Sequence, residues 1–168
     1  MIRKIILLSL IALMFSMYLY SQGPQGKNFG FGLVLGDPLG ATIKSWTNRE
    51  NAFDAYIGGS YFGSLRIGGD YLWHFDAFRT QIVKLYAGIG ATIGFGTGHS
   101  VWYKDNNKEK FYYRESGEIG IGGRVIFGIN VIPKRTPLEI FLELGPMIGF
   151  TPEIGVGMDV GIGIRFYP

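Results

Sequence analysis

Few residues in this chain are equipped for chemistry. There is no cysteine, which excludes thiolate nucleophiles, thiolate metal ligands and disulfides. His74 and His99 are the two histidines, and His99 is followed by Ser100. A serine hydrolase needs the imidazole within reach of the hydroxyl and an acid behind it. Neighbouring residues of an extended segment point to opposite faces, so His99 and Ser100 are not expected to pair. His74 reads as a hydrogen-bonded interior residue. Glu139 and Glu143 share a phase, but four residues of strand separate them by roughly 13 Å, too far for a local acid/base pair. Glycines recur at i, i+2 (Gly88/Gly90, Gly94/Gly96/Gly98, Gly120/Gly122), yet never as a G-x-G-x-x-G before a helix, so no nucleotide site is expected. No His/carboxylate cluster has metal-ligand spacing. The expectation is a non-enzymatic chain without cofactor or metal.

The elements that would hold these residues are strands. In 153–167 one phase is Ile154, Val156, Met158, Val160, Ile162, Ile164 and Phe166, all apolar. The other phase is Gly155, Gly157, Asp159, Gly161, Gly163, Arg165 and Tyr167. Period-2 alternation marks a strand between two unlike environments. Eight such segments are expected, over 28–36, 40–47, 52–62, 64–75, 81–95, 117–132, 137–151 and 153–167. The breaks carry turn residues, such as Asp37-Pro38-Leu39-Gly40 and Asn48-Arg49-Glu50-Asn51. The spacing leaves no room for βαβ units. The fold class is therefore all-β: an eight-stranded antiparallel up-and-down transmembrane β-barrel.

Composition agrees. Glycine is 27 of 168 residues without a collagen period, and charged residues are 17 %, against about 25 % in soluble domains. The charges fall in the glycine phase. Lys44, Arg66, Lys84, Arg124 and Arg165 oppose Asp54, Asp70, Glu139, Glu143 and Asp159. Buried charges are tolerated only when paired, and an eight-stranded barrel is just wide enough to be filled by side chains. These ten residues are read as an interior charge network, with glycine making room beside them.

Residues 1–21 read as a secretory signal peptide: Arg3 and Lys4, then an apolar run from Ile5 to Tyr20, then the small Ser21. Residues 22–168 are the barrel domain. Without Arg3 and Lys4, 14 basic residues face 13 acidic ones, so the basic pI gives no reason to expect nucleic-acid binding. Two aromatic girdles are expected. Phe29, Phe31, Trp46, Phe53, Trp73, Phe75 and Phe166 share one rim, and Tyr61, Phe62, Phe95 and Phe150 the other. The long connection 97–116 is expected outside. It sets Trp102, Tyr103, Lys104 and Lys110, Phe111, Tyr112, Tyr113, Arg114 around a polar turn, as a hairpin suited to a protein or lipopolysaccharide partner.

On GFGLVLGDPLGATIKSW, DYLWHF and PLEIFLELGPMIGF–PEIGVGMDVGIGIRFYP, the mature chain resembles small eight-stranded bacterial outer-membrane barrels. These are the OmpA-transmembrane and OmpX-like class, and more narrowly uncharacterised barrels known partly from spirochaetes. The resemblance implies an outer-membrane location with both termini periplasmic. It also implies contact with outer-membrane lipid and recognition by the barrel assembly machinery through Val160, Ile162, Ile164 and Phe166. Tyr167 and Pro168 extend the chain past the terminal aromatic of that pattern. The function expected is structural or adhesin-like surface interaction through 97–116. The alternatives are a small outer-membrane channel, or a soluble periplasmic lipid-binding barrel with the two faces reversed.

Overall fold

The computed structural model describes residues 23–168 apart from 79, 81, 106, 107, 115–117, 152 and 153, and for 99–105 and 108–114 the backbone alone. The expected leader lies outside the described residues. A 3-10 turn at Pro24–Gly26 precedes ten strands: β1 Phe29–Asp37, β2 Leu39–Trp46, β3 Asn51–Ser60, β4 Gly63–Phe75, β5 Val83–Phe95, β6 Gly98–Asp105, β7 Lys108–Arg114, β8 Ile119–Val131, β9 Leu138–Thr151 and β10 Gly155–Phe166.

Eight of them form a closed antiparallel barrel in up-and-down order, β1-β2-β3-β4-β5-β8-β9-β10. Strand β10 returns to β1 in register from Phe31↔Phe166 to Asp37↔Val160. Closure leaves the barrel no free sheet edge. The expected long connection is itself two strands. β6 and β7 pair from Gly98↔Arg114 to Asp105↔Lys108, and β6 meets β10 at Val156↔Trp102. The chain thus has a barrel plus a hairpin at the end away from its termini.

Alternation decides which side chains go where. Leu33, Ile57, Ile89, Phe127, Leu144 and Ile162 point outward and are 47–60 % exposed, whereas the inward Lys44, Arg66, Glu139 and Arg165 are at most 1 % exposed. A soluble β-barrel would have the opposite polarity.

Three aromatics expected in the girdles face inward instead. Trp46 and Phe62 are buried, and the Tyr61 hydroxyl reaches an interior aspartate. Trp46 shares the phase of Lys44 on β2, and the period of two overrides its position near a strand end. Tyr61 and Phe62 lie in the β3–β4 turn, where strand alternation no longer sets direction. At the end of the barrel bearing the termini (the terminal end), Phe29, Phe31, Phe53, Trp73, Phe75 and Phe166 do face outward. Phe95 and Phe150 do so toward the far end.

The glycines have a second role besides making room for charge. Several lie directly across the ladder from a large inward side chain. Tyr86 is registered with Gly128, Tyr56 with Gly68 and Phe141 with Gly163. A Cβ on Gly128 would stand 2.2 Å from Tyr86 Cζ, one on Gly68 2.3 Å from Tyr56 Cζ, and one on Gly163 2.3 Å from Phe141 Cζ. The tip of each ring takes the space that a Cβ opposite it would need, so a bore of this width accommodates aromatics as well as ion pairs.

Candidate functional site

The barrel interior is a ladder of paired charges between two mouths. At the terminal mouth the floor is Trp46, Ala52 and Tyr167, all buried. Trp46 Nε1 donates to the Tyr167 hydroxyl at 3.1 Å, and that hydroxyl donates to Glu139 Oε2. Tyr167 lies one residue past the outward Phe166, and the same alternation that exposes the one carries the other inside.

Beneath the floor, Lys44 Nζ donates to Glu139 Oε1 at 2.7 Å and to His74 Nε2 at 3.0 Å. An ammonium donor requires Nε2 to be bare, so the imidazole carries its proton on Nδ1 and donates it to the Glu50 carbonyl, 3.1 Å away. Asn130 Nδ2 adds a 2.8 Å bond to Glu139 Oε1. Trp46 and Tyr86 present their ring faces to Lys44 Nζ at 4.5 and 5.4 Å from the centroids, a further stabilisation of the desolvated cation.

Arg165 follows. It bonds Asp54 Oδ2 at 2.9 Å and Thr42 Oγ1 at 3.0 Å, and stacks 3.9 Å above Phe141. Its Nη1 lies 3.6 Å from Glu139. Arg124 grips Asp70 with both Nε (2.8 Å) and Nη2, and reaches Asp159 Oδ2 from Nη1 at 3.1 Å. Glu143 is 3.9 Å from Arg124 and accepts from the Tyr86 hydroxyl at 3.2 Å. Arg66 completes the ladder with a two-pronged contact to Asp159, Nη1 to Oδ1 at 2.9 Å and Nη2 to Oδ2 at 2.6 Å. Paired forks of this kind fix geometry as well as charge.

Nine of the ten residues proposed for the interior are buried in this ladder. Lys84 is not among them. It lies at the terminal mouth, 3.4 Å from the exposed Asp76 and 3.4 Å from the Arg49 carbonyl. Strand β5 is only one residue old at that point, so its inward direction opens on the rim. The ladder therefore holds four cations and five carboxylates, not five of each.

Asp37, Ser60 and Tyr61, none of which the sequence placed in the interior, cap the far mouth. Ser60 Oγ donates to Asp37 Oδ1 at 2.5 Å, the Tyr61 amide donates to Asp37 Oδ2 at 2.9 Å, and the Tyr61 hydroxyl donates to Asp159 Oδ1 at 2.9 Å. A turn residue has no period to reveal its direction, so only the turn chemistry of Asp37 was visible beforehand. Tyr61→Phe is expected to lower stability by about 1 kcal/mol through the lost hydroxyl bond. The check is the urea midpoint of the refolded barrel; an unchanged midpoint would show that the hydroxyl is exchanged for water at no loss.

The family model "Protein of unknown function (DUF3996)" matches residues 22–167. The chain belongs to this family. A search of curated proteins finds no match. In this DUF3996 barrel the described charged side chains within the bore are spent on one another. Among the described residues, no group of three His, Asp or Glu side chains is arranged to hold a metal ion. The side chains of His99 and Ser100, and of Trp102, Tyr103, Lys104, Lys110, Phe111, Tyr112, Tyr113 and Arg114, lie outside those described. Their backbone runs through β6 and β7. Val160, Ile162, Ile164 and Phe166 form one outward apolar ridge on β10, beside the β1 seam.

Proposed function

We propose that the DUF3996 barrel is a non-enzymatic integral outer-membrane protein whose working surface is the 97–116 hairpin. The carrying observation is polarity. The charges are sealed inside a closed barrel, while apolar residues cover the outside of all eight barrel strands. Soluble monomers rarely expose contiguous apolar patches above a few hundred Å², whereas a barrel in lipid has this distribution by necessity. A lipid carrier in water would have the reverse. The bore is crossed by Arg165, Arg124 and Arg66 in their ion pairs, which argues for a plug over a wide channel.

In this reading both termini face the periplasm after removal of the 1–21 signal peptide. The ridge Val160, Ile162, Ile164, Phe166 serves the assembly machinery and then meets lipid. The hairpin, an antiparallel ribbon with Trp, Tyr, Phe, Lys and Arg in its sequence, offers aromatic and cationic groups to an extracellular protein or lipopolysaccharide. Aromatic and arginine side chains are the usual anchors of such contacts.

An epitope tag inserted at Asn106 tests location and direction together. Labelling of the tag on intact cells is the expected result. A tag that labels only after the outer membrane is broken, in a protein still extracted by detergent alone, would reverse the orientation. Release of the protein by aqueous buffer would remove the membrane reading itself.

A further inference from the structure

The terminal mouth is not flush with its floor. A cavity of about 690 Å³ lies there, walled by Gly23, Pro24 and Gln25 and by the β2–β3, β4–β5 and β8–β9 turns. That is the size of a small-ligand site. Gly23 sits on the floor: a Cβ there would be 2.8 Å from Trp46 Cδ1. The N-terminal turn thus forms one wall.

Three segments of chain each contribute one cation to the wall, Arg49, Lys84 and Lys134, against two carboxylates, Glu50 and Asp76. Lys84 and Asp76 are paired. The Glu50 main chain is fixed by the His74 amide and ring on its carbonyl, while its carboxylate stays in the wall and leaves the lining one cation in excess. Arg49 and Lys134 have no side-chain partner among the described residues. Lys27 and Arg135 are exposed on the same end, so its surroundings are also positive. A concave site lined by one excess sign concentrates the opposite ion, and Pro24, Ile132 and Pro133 supply an apolar wall beside it.

We propose that this vestibule binds an anionic group, phosphate or carboxylate, held between Arg49 and Lys134. Arginine offers a planar fork and lysine a mobile point charge, a combination suited to an oxyanion. The proposal rests on the terminal-end geometry and not on the membrane reading.

The test follows the backbone amide resonances of Glu50 and Ile132 in the refolded barrel of residues 22–168. In detergent the protein is titrated with inorganic phosphate and, separately, with a hexaglutamate peptide. In a third arm it is placed in nanodiscs of zwitterionic phospholipid with and without anionic phospholipid. Saturable shifts are expected in at least one arm, and which arm responds identifies a free anion, a carboxylate polymer or a lipid headgroup as the source. In Arg49→Gln/Lys134→Gln the affinity should fall about tenfold, the sum of two exposed charge contacts. Lys27→Gln/Arg135→Gln, which removes two exposed charges from the same end but none from the cavity wall, should weaken binding far less. The rest of the spectrum reports that each variant is folded. No saturable shift in any arm, or equal weakening in both double variants, overturns the proposal.

Discussion

Arg124→Ala is expected to destabilise the barrel by about 3–5 kcal/mol, the usual consequence of removing one partner from a buried ion pair. Arg124 is the hub of the ladder. It holds Asp70 with two donors and reaches Asp159 with a third nitrogen, and Glu143 is 3.9 Å away. Its guanidinium also lies 4.3 Å from the centre of the Tyr56 ring. Alanine leaves Asp70 buried with no cation in contact, whereas Asp159 keeps Arg66. The asymmetry gives a second expectation. Removing both members, in Asp70→Leu/Arg124→Leu, should recover much of the loss, because an apolar pair does not have to be solvated. Urea unfolding of refolded protein, followed by the mobility difference between folded and boiled samples, measures both. If Arg124→Ala lost less than about 1 kcal/mol, water would have to reach the bore, and the plug described above would be wrong.

Gly128→Val should be nearly as damaging, at about 3 kcal/mol, through overpacking together with lost hydrogen bonding. The new Cβ would need the space of the Tyr86 ring, 2.2 Å from Cζ. That ring is buried, donates to Glu143 and packs 5.3 Å from the His74 ring. Displacing it therefore disturbs both halves of the ladder at once. Gly123→Val is the matched control. It lies on the same strand but points outward, and its Cβ would meet Phe150 at an ordinary 3.5 Å. Equal effects at the two glycines would mean that backbone flexibility, and not the ring opposite Gly128, is what the position requires. Trimming the ring in Tyr86→Leu/Gly128→Val should restore part of the loss.

Much of this was readable from phase alone. A period of two assigns Arg66, Asp70 and His74 to one side of β4 and Ile67, Tyr71 and Trp73 to the other, and the eight-stranded closed barrel follows from the repeated pattern. Phase says nothing about which strands become neighbours in space beyond the hairpin order, so the partners Arg66–Asp159 and Lys44–Glu139 could not be named. Those pairs join residues 93 and 95 positions apart. Period also fails where strands end. Lys84 has the right phase but stands at the rim, and Tyr61 has no phase yet seals the far mouth. Trp46 and Tyr167 look like membrane-interface aromatics by type, and only their phase betrays that they are the floor of the bore. The glycines opposite Tyr86, Tyr56 and Phe141 needed the cross-strand register before their purpose could be seen.

The closing seam has a kinetic consequence. Strand β1 is held by short ladders on both sides, Phe29 to Val34 with β2 and Phe31 to Asp37 with β10. The ladders from β4 through β10 run along almost whole strands. Two inward charges face β1 directly, Arg165 at Gly32 and Lys44 at Gly30, and both find their ionic partners on other strands. β1 therefore has the shortest combined ladders of the eight barrel strands, and away from Asp37, which is tied to Ser60, Tyr61 and Arg66, its amide protons should exchange with solvent first when the protein is loosened by denaturant. The chain then behaves as a seven-stranded curl, nearly complete, waiting on one light strand to become a tube.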